Sequence, residues 1–180
     1  MPSTASDAKG LLTTAIRDDD PVIFFEHKTL YGLQGDVPEG DYLVPFGKAR
    51  IVSEGSDCTL VATGRMVSFC EDAAKALSAD GVSCDIIDPR TTSPLDEDAI
   101  LDSVEKTGRL IVVDETPPRC SFAADVAALA ASEVFSSLKA PIKTVTGPHS
   151  PVPFAKELEA AFLPSPVKIK TVIEQTVNFS

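Results

Sequence analysis

Three polar segments that could carry chemistry each follow an apolar run: Thr63-Gly64-Arg65, Asp88-Pro89-Arg90-Thr91 and Asp114-Glu115. In the second segment, Asp88 and Arg90 could contact a ligand or a partner domain, or they could hold a rigid turn. In the third, two adjacent carboxylates could act as an acid and a base, or they could be solvated charges. The sequence alone leaves these alternatives open.

Two further segments have the same ambiguity. Asp18, Asp19 and Asp20 follow a predicted helix, whose last carbonyl groups lack intrahelical partners. Carbonyl and carboxylate oxygens suit a hard cation, although a solvated turn is the other interpretation. His149 lies among three prolines, which either present it for function or simply place it on the surface.

Several kinds of site are not supported. The chain has no GxGxxG, GxxxxGK[ST] or GxSxG motif, and its two histidines are too few for a triad or a three-histidine metal site. The four cysteines show no CxxC spacing, so zinc is not expected and we predict buried, reduced thiols.

Charge and hydropathy restrict the partners. The net charge of −11 disfavours nucleic acids and anionic membranes, and it favours a basic protein surface. No apolar run is long enough for a transmembrane helix, and the first residues resemble neither a signal nor a transit peptide. We therefore expect a cytoplasmic protein, or a mitochondrial matrix protein in a eukaryote.

The chain is predicted to have three parts. Residues 1–25 contain a helix that starts near Ser6-Asp7 and a short buried strand at Val22–Phe25, and residues 26–46 are a glycine- and proline-rich linker. Residues 47–180 alternate between strands and helices. The predicted strands are 58–62, 83–87, 110–113 and 142–145, and the predicted helices are 66–80, one from Asp96 to Gly108, 121–138, 156–163 and 167–177. This alternation indicates an α/β fold with a mostly parallel sheet.

Several strings, taken in order, resemble the β subunit of the E1 component of thiamine-diphosphate-dependent 2-oxo-acid and acetoin dehydrogenases. They are Asp7–Leu12, Ala15–Val22, Glu26-His27-Lys28, Asp88–Thr91 with Pro94-Leu95-Asp96, Thr146-Gly147-Pro148 and Pro151–Phe154. Pro118–Ser121, Lys139–Lys143 and Pro148-His149 resemble the acetoin dehydrogenase β subunit in particular.

The resemblance implies a fold and a role. The fold is a three-layer α/β/α sandwich, like the transketolase C-terminal domain, with a five-stranded sheet that has one antiparallel edge strand. Residues 1–25 would be a remnant of the pyrimidine-binding domain. The groups that bind the reactive end of thiamine diphosphate would precede Met1, so no catalytic or cofactor-binding residue is expected in this chain.

The resemblance also implies partners and ions. The E1 α subunit, a second β subunit and the basic subunit-binding domain of the E2 acyltransferase would be partners in an α2β2 enzyme that uses thiamine diphosphate and Mg²⁺. The chain alone would be inactive. A structural K⁺ would be bound by Ala15, Ile16, Asp18 and Asp20, although the family commonly has Asn at the last position.

Two alternatives remain. A flavodoxin-like binding or electron-transfer module is disfavoured by the missing phosphate loop after the first strand. A piece of transketolase or of deoxyxylulose phosphate synthase is disfavoured by the run from Asp7 to Tyr31. In each case, the apolar side chains of residues 11–25 are expected to be buried against other residues. We expect these residues to fold against the second domain, pair with another copy or be poorly ordered.

Overall fold

The computed structural model describes residues 1–179, which contain five strands and six α-helices. The strands are β1 (Arg50–Ser53), β2 (Cys58–Ala62), β3 (Cys84–Asp88), β4 (Leu110–Val113) and β5 (Lys143–Val145). The α-helices are α1 (Ala5–Arg17), α2 (Arg65–Ser78), α3 (Glu97–Thr107), α4 (Phe122–Glu133), α5 (Lys156–Phe162) and α6 (Pro166–Val177). Two 3₁₀ helices span Lys28–Gly32 and Phe135–Ser137.

The five strands form one sheet in the order β1-β3-β2-β4-β5. Strands β2 to β5 are parallel, with Leu60 of β2 opposite Ile86 of β3 and Ile111 of β4. Strand β1 pairs with β3 in the antiparallel direction. The predicted fold class, a mostly parallel five-stranded sheet with one antiparallel edge strand, is confirmed.

Helices cover both faces of the sheet, as buried parallel strands require. On one face, Leu60 and Ile111 pack with Met66 of α2 and with Ile169 and Ile173 of α6. On the other face, the buried side chains come from the same strands and from α3 and α4; they include Val61, Val112, Ile100, Val104 and Val126. The three-layer α/β/α arrangement is therefore confirmed.

Most helix boundaries follow the predicted signals. Left-handed Gly108 ends α3 as predicted, whereas α1 begins at Ala5, just before the predicted start at Ser6-Asp7, because the hydroxyl of Thr4 accepts from the Asp7 amide. Ser121 caps α4 as predicted, but α4 ends at Glu133 and a 3₁₀ turn follows, which is shorter than the predicted helix. Asp96 precedes α3, yet its carboxylate accepts from the Ala49 amide, not from the helix.

Two strand predictions differ from the structure. Val22–Phe25 forms no strand, and Ile23 and Phe25 are 81% and 62% exposed. The composition of this segment is typical of a buried strand, but a ladder needs a neighbouring strand, and none lies beside it within residues 1–179. Conversely, the residue pattern did not predict β1, which is an edge strand of only four residues, none of them buried.

Helix α1 packs against the rest of the chain. Leu11 is buried, and the backbone at Gly10 lies directly against Tyr42 and Val44. The Val44 amide donates to the Gly10 carbonyl at 3.3 Å, and the Thr14 hydroxyl donates to the Val44 carbonyl at 2.7 Å. Of the three arrangements expected for residues 11–25, α1 packs within the same chain, here against the predicted linker, whereas Ile23 and Phe25 stay exposed. Within residues 1–179, no helix is both long and apolar enough to cross a membrane.

Candidate functional site at the carboxyl edge of the sheet

The parallel strands bring the predicted polar segments to one edge. Strands β2, β3, β4 and β5 run in the same direction. Asp88, the last residue of β3, therefore lies at the same edge of the sheet as Thr63, Asp114 and Thr146, which follow the other three strands. Ligand-binding groups of open α/β sheets gather at this edge. The polar side chains there therefore define the candidate site.

Asp88 is fully buried at the end of β3. Its carboxylate accepts from the Ser3 hydroxyl, from the Arg50 guanidinium at 3.3 Å and from the Arg90 amide at 3.0 Å. Burial raises the pKa of Asp88 above its ordinary value, while the Ser3 bond and the charge of Arg50 act in the opposite direction. The hydrogen bond from the Arg90 backbone amide to Asp88 closes a turn after β3. A rigid turn was one of the two interpretations of the Asp88–Thr91 segment.

Asp7 joins both guanidinium groups to α1. Its carboxylate lies 3.2 Å from Nη1 of Arg90 and 3.4 Å from Nε of Arg50. The second contact is an ion pair without hydrogen-bond geometry, so the buried Nε of Arg50 donates to no acceptor within the described chain. We call Asp7, Arg50, Asp88 and Arg90 the charge network.

The charge network is balanced and internal. Two carboxylates face two guanidinium groups, and Arg90 also donates to the Lys48 carbonyl at 2.7 Å. The domain contact suggested for the Asp88–Thr91 segment is therefore a contact with α1 of the same chain. Because each charged group already has a partner of opposite sign, this arrangement is suited to fastening α1 to the sheet.

Asp114 and Glu115 have different surroundings, although they are adjacent. Asp114 is buried and accepts from the Thr116 amide and hydroxyl and from the Ala123 amide, which ties β4 to the start of α4. Glu115 instead faces His27. These partners favour a structural role for Asp114 over acid and base catalysis.

His27 and Glu115 form a close pair. Nε2 of His27 lies 2.8 Å from Oε2 of Glu115, and the two side chains are 26% and 27% exposed. Nδ1 of His27 accepts from the Thr29 amide at 3.3 Å. In the neutral ring the proton therefore lies on Nε2, which donates to Glu115. Oε1 of Glu115 is buried without a hydrogen-bond partner in the part of the chain that the structure describes.

The four residues assigned to K⁺ lie at the end of α1. Ala15 and Ile16 are in its last turn, where carbonyl groups have no intrahelical donor. Asp18 follows the helix, and its Oδ1 accepts from the Asp20 amide at 3.0 Å. The four positions are therefore close in sequence and supply only oxygen donors, the type that a hard cation takes.

His149 and the cysteines add no site. His149 is exposed in the proline-rich loop. Cys58, Cys70 and Cys84 are buried as predicted, whereas Cys120 is exposed. Burial raises the pKa of the Cys58 and Cys70 thiols, and it raises that of Cys84 to about 11. Among residues 1–179, no three His, Cys, Asp or Glu side chains are grouped so as to hold a metal.

Sequence reasoning missed part of the site. Ser3 and Arg50 contact Asp88, yet neither was singled out. Arg50 opens β1, and the β-branched pair Ile51-Val52 beside it was a weak signal of a strand. No local signal indicated Ser3, because its partner is 85 residues away.

Comparisons with known proteins place these features in a family. Residues 47–169 match the family model described as transketolase, C-terminal domain. The chain is 55% identical over 172 residues to the acetoin:2,6-dichlorophenolindophenol oxidoreductase subunit beta of Bacillus subtilis, covering 96% of this chain and 50% of that protein. It is 44% identical over 179 residues to the pyruvate dehydrogenase E1 component subunit beta of Rickettsia felis, covering 99% of this chain and 55% of the relative. The chain thus spans about half the length of these relatives.

A solved structure supports the fold. The fold of the chain resembles that of a split gene transketolase, described as an inactive beta4 tetramer, with a TM-score of 0.67 and 22% sequence identity. The match covers 79% of this chain and 45% of the other. This similarity concerns the fold alone.

Proposed function

Since the chain belongs to the transketolase C-terminal domain family, we propose that it works as the carboxy-terminal region of the E1 β subunit of a thiamine-diphosphate-dependent acetoin or 2-oxo-acid dehydrogenase. The observation that carries the proposal is the 55% identity, over nearly the whole chain, to an acetoin oxidoreductase subunit beta. The lower identity to a pyruvate dehydrogenase subunit favours acetoin as the substrate of the assembled enzyme.

The proposed contribution of this region is assembly and support. The carboxylates and guanidinium groups of the charge network pair with one another, and these pairs fasten α1 to the sheet. We assign thiamine diphosphate and Mg²⁺ to the assembled α2β2 enzyme and to no residue of this chain. The matches to E1 β subunits favour this role over a flavodoxin-like module or a piece of transketolase or deoxyxylulose phosphate synthase.

Two surfaces support the proposed partners. Ile16, Ile23 and Phe25 expose apolar side chains at the end of α1 and just after it, where a further domain of the subunit would cover them. The net charge of −11 suits a basic subunit-binding domain of the E2 acyltransferase. The E1 α subunit and a second β subunit complete the proposed enzyme, in the cytoplasm or the mitochondrial matrix.

An exchange experiment tests the role. The matching half of the Bacillus subtilis acetoin oxidoreductase subunit beta is replaced by this chain, and the chimera is produced with the E1 α subunit. We expect dye reduction with acetoin in the presence of thiamine diphosphate and Mg²⁺, and weaker reduction with pyruvate. The unaltered subunit is the positive control, and the same subunit lacking the exchanged half is the negative control.

Two results would contradict the proposal. One is a folded chimera that assembles with the α subunit but reduces no dye. The other is turnover by the 180-residue chain without any α subunit, because the proposed role leaves the chain inactive alone.

We also propose that Ala15, Ile16, Asp18 and Asp20 bind K⁺ in the assembled subunit, the first two through carbonyl oxygens. Thermal unfolding of the chimera in potassium chloride, against the same concentration of choline chloride, tests this site. Potassium should raise the melting temperature of the chimera, because an ion that binds only the folded state stabilises it. The gain should be lost in Asp18→Ala and kept in Asp19→Ala, the matched control.

Docking of the E2 domain has a separate test. A basic subunit-binding domain, titrated into the chimera with its α subunit, should bind more weakly as salt rises, because exposed charges are screened. Binding that is insensitive to salt would remove the electrostatic basis of the proposed docking.

A further inference from the structure

Residues 19–37 contain no strand and no α-helix, and their side chains pack little against the rest of the chain. All of them are described, and none is buried. A cavity of about 250 Å³ lies between the 3₁₀ helix of this segment and the start of α1, lined by Ala5, Ala8, Leu30, Tyr31 and Leu33 among others. We call residues 19–37 the strap. Its weak packing means that polar contacts must hold it in place.

The strap has one long-range polar contact with the rest of the described chain. Its other hydrogen bonds are local: Tyr31 donates to Glu26 inside the strap, and the Asp20 amide donates to Asp18 just before it. The exception is the pair of His27 and Glu115, which spans 88 residues and connects the strap to the end of β4. Beyond the strap, the chain is fastened again where Lys9 donates to the Pro38 and Gly40 carbonyls.

We propose that the strap is a movable element and that the pair of His27 and Glu115 is the clasp that closes it over the carboxyl edge of the sheet. Glu115 supplies an anchored acceptor, because it follows buried Asp114, which hydrogen bonds hold at the end of strand β4. The Thr29 amide orients the ring of His27 by donating to Nδ1, which directs Nε2 at the carboxylate. The strap also borders the cavity of about 500 Å³ beside Thr91–Pro94, so release of the clasp would open that edge.

The surroundings of Glu115 predict that the effects of removing His27 and Glu115 are not additive. Oε1 of Glu115 is buried without a partner in the described residues, so His27 is the one side chain that compensates the carboxylate for lost water. Removal of His27 leaves a partly buried carboxylate with no partner, which is unfavourable. Removal of both residues eliminates this cost. The double variant should therefore be affected less than the sum of the two single variants.

Native-state proteolysis of the 180-residue chain measures the opening of the strap. Trypsin can cleave after Lys28, which lies in the strap, and after Lys106 in α3, which is accessible only after wider unfolding. We expect His27→Ala and Glu115→Ala each to increase the rate of cleavage after Lys28 by about tenfold, the scale of one charge-assisted hydrogen bond. Cleavage after Lys106 should stay at the wild-type rate.

Two further variants separate the clasp from a general effect. Glu115→Gln keeps an acceptor for Nε2 and should stay close to the wild type. Glu26→Ala removes a hydrogen bond inside the strap and should leave the rate at Lys28 unchanged. The clasp is refuted if His27→Ala and Glu26→Ala act alike, if the effects of His27→Ala and Glu115→Ala add, or if cleavage after Lys28 and Lys106 rises in parallel. The clasp is tested in the 180-residue chain, so its failure would leave the proposed dehydrogenase role untouched; in the assembled subunit, the further domain proposed to cover Ile23 and Phe25 would also hold the strap.

Discussion

Nη1 of Arg90 lies 3.2 Å from Oδ1 of Asp7, although the two residues are 83 positions apart in the chain. The contact joins the turn after β3 to the first turn of α1, and the side chains are only 14% and 5% exposed. Arg50, which opens β1, approaches the same carboxylate. Helix α1 is thus fastened to two neighbouring strands of the sheet through one buried aspartate.

Asp7→Ala should strongly destabilise the chain, because it leaves the guanidinium groups of Arg50 and Arg90 with one carboxylate fewer. Loss of one partner from a buried ionic network costs about 3 kcal/mol. Urea unfolding of the 180-residue chain measures the change in the free energy of unfolding. Arg90→Ala in the Asp7→Ala background should cost much less than it does alone, because the two residues share one contact.

Arg17→Ala is the matched control for the charge network. Arg17 is also an arginine that pairs α1 with a distant aspartate, Asp41, but both side chains are more than half exposed. Its removal should cost no more than about 1 kcal/mol. If Asp7→Ala and Arg17→Ala destabilise the chain equally, the charge network does not fasten α1.

Gly10→Ala should loosen α1 from the segment that it packs against. A Cβ at Gly10 would lie 2.4 Å from Cγ2 of Val44 and 2.8 Å from Cε2 of Tyr42, so helix and segment must separate. Such overpacking costs about 1–3 kcal/mol, measurable by thermal or urea unfolding. Gly32→Ala is the control, since its Cβ would meet nothing within 4 Å and should change the free energy by less than about 0.5 kcal/mol. Equal effects would mean that the contact of Gly10 with Val44 is not close.

The strands and helices of the sheet region could be predicted because their signals lie in short stretches of sequence. Strand β4 is a continuous apolar run and β2 is apolar except for Thr59; both are buried along their whole length, and the helix before β4 ends at a recognisable signal, Gly108. The antiparallel edge strand came from the resemblance, and the order of the strands was not predicted. The family match covers residues 47–169, which contain all five strands of the sheet.

The candidate site could be predicted only in part, because its contacts are long-range. The segments Asp88–Thr91 and Asp114-Glu115 stand out since they follow apolar strands, but their partners Asp7 and His27 are 83 and 88 residues away from Arg90 and Glu115. No periodicity encodes such pairs. The prediction of a strand at Val22–Phe25 was wrong for a related reason, since a strand depends on a neighbouring strand as well as on its own composition.

Acid stability should depend on Lys106 through Asp85. Burial raises the pKa of Asp85, but bonds from Lys106, Ser103 and the Gly55 amide lower it further, so the pKa lies below its ordinary value of 3.8. A depressed carboxyl pKa stabilises the fold above pH 3.8, and this stabilisation is lost as the pH falls from 3.8 through the folded value. The midpoint of urea unfolding, followed from about pH 6 to about pH 3, should therefore decline.

Lys106→Met should flatten this decline, because it removes one of the groups that depress the pKa of Asp85. The variant keeps an unbranched side chain at a position that is about half exposed, so α3 should retain its structure. Lys75→Met on the exposed side of α2 is the matched control and should keep the wild-type slope. A slope that is equal in all three proteins would show that Lys106 does not contribute to acid stability.

Ile23→Asp should distinguish the 180-residue chain from the chimera. Ile23 is 81% exposed in the chain, so an aspartate there should change the free energy of unfolding by less than about 0.5 kcal/mol. In the chimera the proposed amino-terminal half of the subunit covers this side chain, and burial of a polar group without a partner costs about 2 kcal/mol. Val167→Asp, on α6 and 75% exposed, should be neutral in both proteins. Urea unfolding of the four variants measures the difference. If Ile23→Asp is as harmless in the chimera as in the chain, the apolar side chains after α1 are not the surface that the rest of the subunit covers.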